Sequence, residues 1–210
     1  MGLISILFTN PVLFIILVVV LLYSVILHEI AHGYVARLFG DNTAFLNGRL
    51  TLNPLPHIDP IGALMLIFFG FGWAKPVPVN YYNLNKSRFG LFSVALAGCL
   101  TNIFIATIAL VLLQFNAISS SPVFSAILPI VVRINIILGA FNLIPIPPLD
   151  GSKILMSFLP HRAQESLSRI EPYGFFILIT LLYTGILSPV ITLVQNLIYG
   201  LISILFSFFR

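Results

Sequence analysis

The sequence predicts an all-α polytopic membrane protein, with about five full transmembrane helices and one re-entrant or β-hairpin element between the first two. Three observations lead there. Of the 210 residues, 59% are hydrophobic and 8% charged, against about 25% charged in soluble domains. The mean hydropathy is +1.10. The apolar residues gather in long runs at 11–39, 89–115, 123–142, 172–187 and 189–209, and about 20 such residues let a helix cross a bilayer. A single membrane-embedded domain over 1–210 is expected, with a core at about 11–151 and a structural helical hairpin at 172–209. The net charge of +4 is spread thinly between the apolar runs, as loop-anchoring charges are, so no nucleic-acid partner is expected. One cysteine, Cys99, excludes an internal disulfide. Residues 1–10 carry no charged side chain, so no cleaved signal peptide is expected.

The first run, 11–39, is apolar except at Arg37 and at His28-Glu29-Ile30-Ala31-His32. HExxH on a helix sets two imidazoles one turn apart on one face. That is the reach two histidines need to share a tetrahedral Zn²⁺, with the intervening glutamate placed to take a proton from the attacking water. The bland alternative is a buried, neutral histidine pair bonded to neighbouring helices. Three ionisable side chains in five residues are costly within a membrane span and mark function more often than packing. Gly40 and Asp41 end the run, so the metal would lie inside the membrane, nearer the face where Arg37 emerges.

Between the first two crossings the pattern changes. Residues 43–53 (TAFLNGRLTLN) are short, β-branched and alternating, and read as a strand or hairpin. Residues 53–60 form a proline-broken loop containing His57. The apolar piece 61–73 is short for a crossing and suits a re-entrant or interfacial element. Residues 74–80 (AKPVPVN) read as extended, because Pro76 and Pro78 forbid a helix interior. Such backbone is tolerated at membrane depth where it lines a cavity. It is either the wall of a wet site, with an edge an extended peptide can pair with, or an ordinary surface loop.

In the second run, Gly98-Cys99-Leu100-Thr101-Asn102 puts a small residue and an amide four apart on one face, for helix packing or for a role at the site. The third run contains Arg133, which must snorkel, pair or face the interior. After it, Asn142-Leu143-Ile144-Pro145-Ile146-Pro147-Pro148-Leu149-Asp150-Gly151 unwinds the helix. Asp150 is costly there unless it meets a cation. It completes a His₂-carboxylate set, or else it caps the helix that begins near Ser152. A surface helix is expected within 153–169.

Arg37, Arg49, Lys75, Lys86, Arg88, Lys153, Arg162, Arg169 and Arg210 fall on one side if 61–73 does not cross, and the positive-inside rule makes that side cytoplasmic. The N-terminus is then outside and the C-terminus cytoplasmic.

HEIAH in an apolar helix, followed by AKPVPVN, GCLTN and NLIPIPPLDG, resembles the site-2 protease family of intramembrane zinc metalloproteases, in its compact form without appended soluble domains. The resemblance covers most of 27–151. It implies a multi-pass cell-membrane protease whose zinc is held by His28, His32 and Asp150, with Glu29 as general base. Asn142 matches the asparagine that opens the proline-rich motif, and so implies a contact with substrate or the developing oxyanion. Gly98 and Asn102 match the small-residue and asparagine positions of the central helix, the latter a candidate substrate contact. Cys99 stands where relatives often have proline. His57 is expected to order its loop rather than bind metal. The implied substrate is a transmembrane protein cut within or beside its span, near the cytoplasmic face. Two other classes stay open at this point: a small transporter or channel with an intramembrane metal site, and a scaffold carrying a structural zinc.

Overall fold

A computed structural model describes residues 4–70, 72–84 and 88–207. Two short helices, α1 (Ile4–Thr9) and α3 (Thr43–Leu46), flank the first long one, α2 (Pro11–Leu38). Then come α4 (Pro60–Phe69), α5 (Arg88–Leu112), α6 (Asn116–Ser119), α7 (Pro122–Asn142), α8 (Asp150–Phe158), α9 (His161–Tyr183) and α10 (Leu187–Ser207). Among the described residues, four helices are long and apolar enough to cross a membrane: α2, α5, α7 and α10.

The start of α2 is set by Asn10, whose side chain accepts from the Leu13 N–H, with Pro11 at the first helical position. Helix α5 stands at the centre and packs against α2, α7 and α8. Its buried face is built from Gly90, Ala95, Ala97, Gly98, Ala106 and Ala109. Small residues let neighbouring backbones approach closely where no hydrophobic effect drives helices together. Away from the site, Ala106 and Ala109 pack with Leu128, Val132 and Ile136 of α7 and with Ile198 and Ile202 of α10.

Two sequence expectations are corrected. Among the described residues there is no strand, so the β-hairpin at 43–53 does not form. Asp41 accepts hydrogen bonds from both the backbone N–H and the hydroxyl of Thr43. That local turn starts α3 instead, and Gly48, at φ 63°, lies just beyond its end. The second correction is the count of crossings, four rather than about five. Helix α9 runs unbroken through Pro172, with Arg162, Glu165, Arg169 and Glu171 in its first half. The apolar remainder, 172–183, is about 18 Å long, well short of a ~30 Å hydrocarbon core. Helix α10 then starts beside the broken segment, since Leu187 packs with Ile144 and Leu149. It runs antiparallel to α7, bringing Ile198 and Ile202 to Leu128 and Val132. The hairpin therefore contains one spanning helix, and α10 ends on the side where α7 begins, opposite to the expected side. Lys86 and Arg210, counted above among the basic residues, lie outside the described residues.

Helix α4 has 10 residues, too few to cross. The Asp59 carboxylate caps it by accepting from the Gly62 N–H, and Gly70 closes it at φ 80°. Gly62 lies directly against the Trp73 backbone, where any side chain would overlap. The chain thus turns back along α4, and 72–80 runs on without helix or strand, as the prolines predict.

The four-span arrangement makes a topological prediction. A cysteine at Thr184, in the exposed turn between α9 and α10, should be labelled from the same side as one at Tyr82 and from the side opposite to one at Ser120. A five-crossing chain would put Thr184 with Ser120.

Candidate metal centre

His28 and His32 lie on the inward face of α2, 6% and 8% exposed. Asp150 reaches them from the first turn of α8. The two Nε2 atoms are 3.1 Å apart, and Asp150 Oδ2 lies 3.1 Å from the first and 3.2 Å from the second. Three ligand atoms form a nearly equilateral triangle. A tetrahedral zinc with bonds of about 2.0–2.1 Å spans edges of roughly 3.3–3.4 Å, so the triangle fits such an ion with only slight opening.

The hydrogen bonds behind the triangle say which atoms carry lone pairs. His32 Nδ1 is 2.7 Å from the Val94 carbonyl oxygen. A carbonyl only accepts, so His32 holds its proton on Nδ1 and turns the Nε2 lone pair to the triangle. For His28 the same result comes through a longer relay. Asn135 Nδ2 donates to the Val131 carbonyl and to Ser24 Oγ, each at 2.9 Å. The Asn135 oxygen therefore faces Asn102 and accepts from its Nδ2 at 2.9 Å. That leaves Asn102 Oδ1 to accept from His28 Nδ1 at 2.6 Å. Both imidazoles are thereby fixed as Nδ1–H tautomers with two Nε2 lone pairs converging on a carboxylate oxygen. Such a donor set is repulsive by itself and fits a cation. His28, His32 and Asp150 form the group among the described residues that is placed to hold a metal.

Close packing supports the geometry. Gly98 of α5 sits against both imidazoles, where a Cβ would overlap His32 Nε2 and crowd the His28 ring. Cys99, fully buried, places Sγ 3.7 Å from Asp150 Oδ2. Gly151 is equally confined, since a side chain would overlap the carbonyls of Leu143 and Ile144. The Asp-Gly pair therefore lets α8 begin hard against the broken end of α7. Asp150 lies in the first turn of α8 and its carboxylate meets the imidazoles, while Leu149 is the N-cap residue.

Glu29 is tied to the extended segment, since its Oε2 accepts from the Val77 N–H at 2.8 Å. Gly33, one turn on, is what admits Val77 this close, because a side chain there would press on Val77, Leu50 and Ala44. The segment is pinned at several points. Lys75 N–H donates to the His57 carbonyl and Arg49 Nη2 to the Lys75 carbonyl, both at 2.8 Å. Asn80 N–H donates to Asp41 Oδ2 at 2.7 Å. Asp41 is fully buried just past α2 and also accepts from Asn83 Nδ2. Burial alone would push its carboxyl up, but the donors from Thr43, Asn83 and Asn80 outweigh that and hold it below the ordinary carboxylate range.

Of the residues singled out from sequence, His28, His32, Asp150 and Asn102 come together. Asn102 is fully buried, behind His28. Asn142, the last residue of α7, donates to the Leu138 carbonyl at 3.1 Å. His57 is fully buried and holds its own loop, with Nε2 2.9 Å from the Thr51 carbonyl. Ser24 and Asn135 escaped sequence reasoning, and Asp41 enters it only as part of the end of the first run. A serine one turn before His28 and an asparagine inside an apolar helix were signals that could have found the first two.

The comparisons agree with this chemistry. Residues 114–184, which include Asp150 but not the HExxH, match the model of Peptidase family M50. Over 202 residues the chain is 38% identical to YwhC of Bacillus subtilis (strain 168), provisionally named a zinc metalloprotease, covering 91% of this chain and 92% of that one. It is 31% identical over 183 residues to Rip2 of Mycolicibacterium smegmatis, a protein of the same provisional name, covering 83% and 69%. The zinc metalloprotease MJ0392 of Methanocaldococcus jannaschii is 29% identical over 150 residues, covering 71% of this chain and 36% of its own. No solved structure matches significantly.

Two predictions follow from the site's supports. Asn135→Leu should weaken zinc binding about 10–100-fold, the usual cost of losing an outer hydrogen-bond partner, read by competition with a chromogenic chelator, and Ser24→Ala should do so less. The second concerns Asp41. A depressed folded pKa contributes stability that is complete above the unfolded value of about 3.9 and is lost as pH falls through the folded value. The protection of the Asn80 amide, relative to its intrinsic exchange at the same pH, should therefore hold down to about pH 4 and fall below it, while Asp41→Ala should leave it unprotected throughout.

Proposed function

The chain belongs to Peptidase family M50 and is a zinc metalloprotease of the site-2 protease kind, and on that premise we propose that it hydrolyses a peptide bond within or beside a transmembrane segment of a membrane-protein substrate. The observation that carries this reading is the convergence of His28, His32 and Asp150 to 3.1–3.2 Å between helices built to span a bilayer.

His28, His32 and Asp150 would hold the zinc, and Asn102, through Asn135 and Ser24, would fix the tautomer of His28 instead of touching substrate. When bound, zinc supplies a Lewis acid that polarises the scissile carbonyl and acidifies the attacking water. Glu29 is the general base. The Val77 N–H holds one of its carboxylate oxygens and leaves the other to take the water's proton and return it to the leaving amine. Asn142 keeps one amide hydrogen beyond its bond to Leu138, which is available for the developing oxyanion.

A helical substrate hides its carbonyls in i to i−4 bonds and must unwind before attack. Segment 74–80 is suited to hold the unwound form. The carbonyls of Val77 and Val79 accept no hydrogen bond among the described residues, so a substrate strand can add there. His32 lies six residues before the end of α2, roughly 9 Å along its axis. Arg37, Arg49, Lys75, Arg88, Lys153, Arg162 and Arg169 gather at that end, which the positive-inside rule makes cytoplasmic. The start of α2 and the end of α10 then face the outside.

Glu29→Gln should bind zinc with unchanged stoichiometry yet lose at least 1,000-fold in cleavage of a reconstituted single-span substrate, whereas Asp150→Ala should lose the metal. Undiminished turnover by Glu29→Gln would defeat the assignment.

A further inference from the structure

Arg133 stands apart from the zinc centre. It lies in α7, eleven residues from Pro122 and nine from Asn142, so about 16 and 14 Å from the two ends of the span. An extended arginine side chain reaches only about 7 Å, which leaves the guanidinium well inside the hydrocarbon. It is exposed on the helix surface and makes no ion pair or hydrogen bond among the described residues. The chain has six acidic residues, and none pairs with it. Glu29 and Asp150 belong to the zinc centre, Asp41 and Asp59 hold turns, Glu171 pairs with Lys153 at 2.6 Å, and Glu165 lies in the charged half of α9.

The surface around Arg133 is mostly polar on the α10 side, while its α7 neighbours in the cleft are Ile136 and Ile137. A cleft of about 470 Å³ between α7 and α10 is lined by Arg133 and, from α10, by Ser188, Thr192, Gln195 and Tyr199. Spacings of four, three and four residues put these on one face of α10. The stripe extends roughly 16 Å along the axis. The Gln195 amide and the Tyr199 hydroxyl make no hydrogen bond among the described residues. A cation with a ladder of hydroxyl and amide groups, all within spanning segments, is expensive unless something answers it.

We propose that this cleft receives a transmembrane helix of another protein through a carboxylate, Asp or Glu, near the middle of that helix. Charge decides the sign of the occupant and depth decides its kind. Lipid phosphates sit about 15 Å from the midplane, beyond the reach of Arg133. A mid-span carboxylate lies level with it, and the α10 stripe matches the length of a helix rather than a single headgroup. A second copy of this chain cannot serve, because outside the zinc centre its spanning helices contain no acid. The occupant is thus recognised at a site separate from the one that cuts.

The test uses zinc-loaded protein in phosphatidylcholine vesicles, with a fluorescent acceptor on a cysteine at Thr184. The probe is a donor-labelled leucine–alanine peptide of one span carrying a single central glutamate, with the central-glutamine peptide as control. Energy transfer should show the glutamate peptide associating at least ten-fold more strongly. Arg133→Lys should keep that preference and Arg133→Leu should abolish it, while zinc content stays unchanged. Equal association of the two peptides with the unmutated protein would overturn the proposal and needs no variant to read. So would displacement of the glutamate peptide by added phosphatidylglycerol in an Arg133-dependent way, which would assign the cleft to a lipid headgroup.

Discussion

Two imidazole lone pairs and a carboxylate oxygen face one another at 3.1–3.2 Å, and everything around them is arranged to keep them there. Left alone, the three would repel or share a proton. Their order comes from behind. A backbone carbonyl of α7 sets Asn135, Asn135 sets Asn102, and Asn102 sets His28. The far end of that chain is an atom that can only accept. A buried network satisfied at every link is rigid, whereas one missing a partner is costly. The packing of α5 between α2 and α7 is therefore more than scaffolding, since it is the contact through which the ligand tautomer is transmitted.

The second constraint is the seating of the extended segment on α2. Prolines at 76 and 78 remove two donors, while the N–H groups of Val77, Asn80 and Lys75 and the Lys75 carbonyl are met by Glu29, Asp41, His57 and Arg49 in turn. Gly33 provides the space. Glu29 is thereby tied to this segment, so anything that shifts the segment also moves Glu29. Asp41, at the boundary of the span, connects α2, α3 and the 80–83 turn through one carboxylate.

The bilayer explains the architecture beyond the site. Helix α9 carries four charged residues before its apolar half, so it stays at the active-site end and hands the chain to α10 there. Four crossings result, and α10 covers α7 on the side away from the metal ligands. That placement brings the Arg133 face of α7 against the polar stripe of α10, two features neither helix shows to be related by itself.

The sequence determined what depends on near neighbours along the chain. His28 and His32 share a helix face because they are four residues apart, Glu29 lies between them, and the hydropathy of 11–39, 89–115 and 123–142 marks spans regardless of what they pack against. Pro76 and Pro78 made the extended segment legible for the same reason. Tertiary structure decided the rest. Whether Asp150 caps its own helix or reaches α2 turns on how the broken end of α7 is seated, and Gly151 settles that only through contacts with 143 and 144. Asn102 served packing and site equally well on paper. Its role came from Asn135, a residue whose meaning depends on which helix α7 meets. The 43–53 stretch alternates like a strand, but a strand needs a partner edge and Asp41 offered a helical turn first. Local periodicity is written in the chain, while the identity of a distant partner is not, and a metal site is made of distant partners.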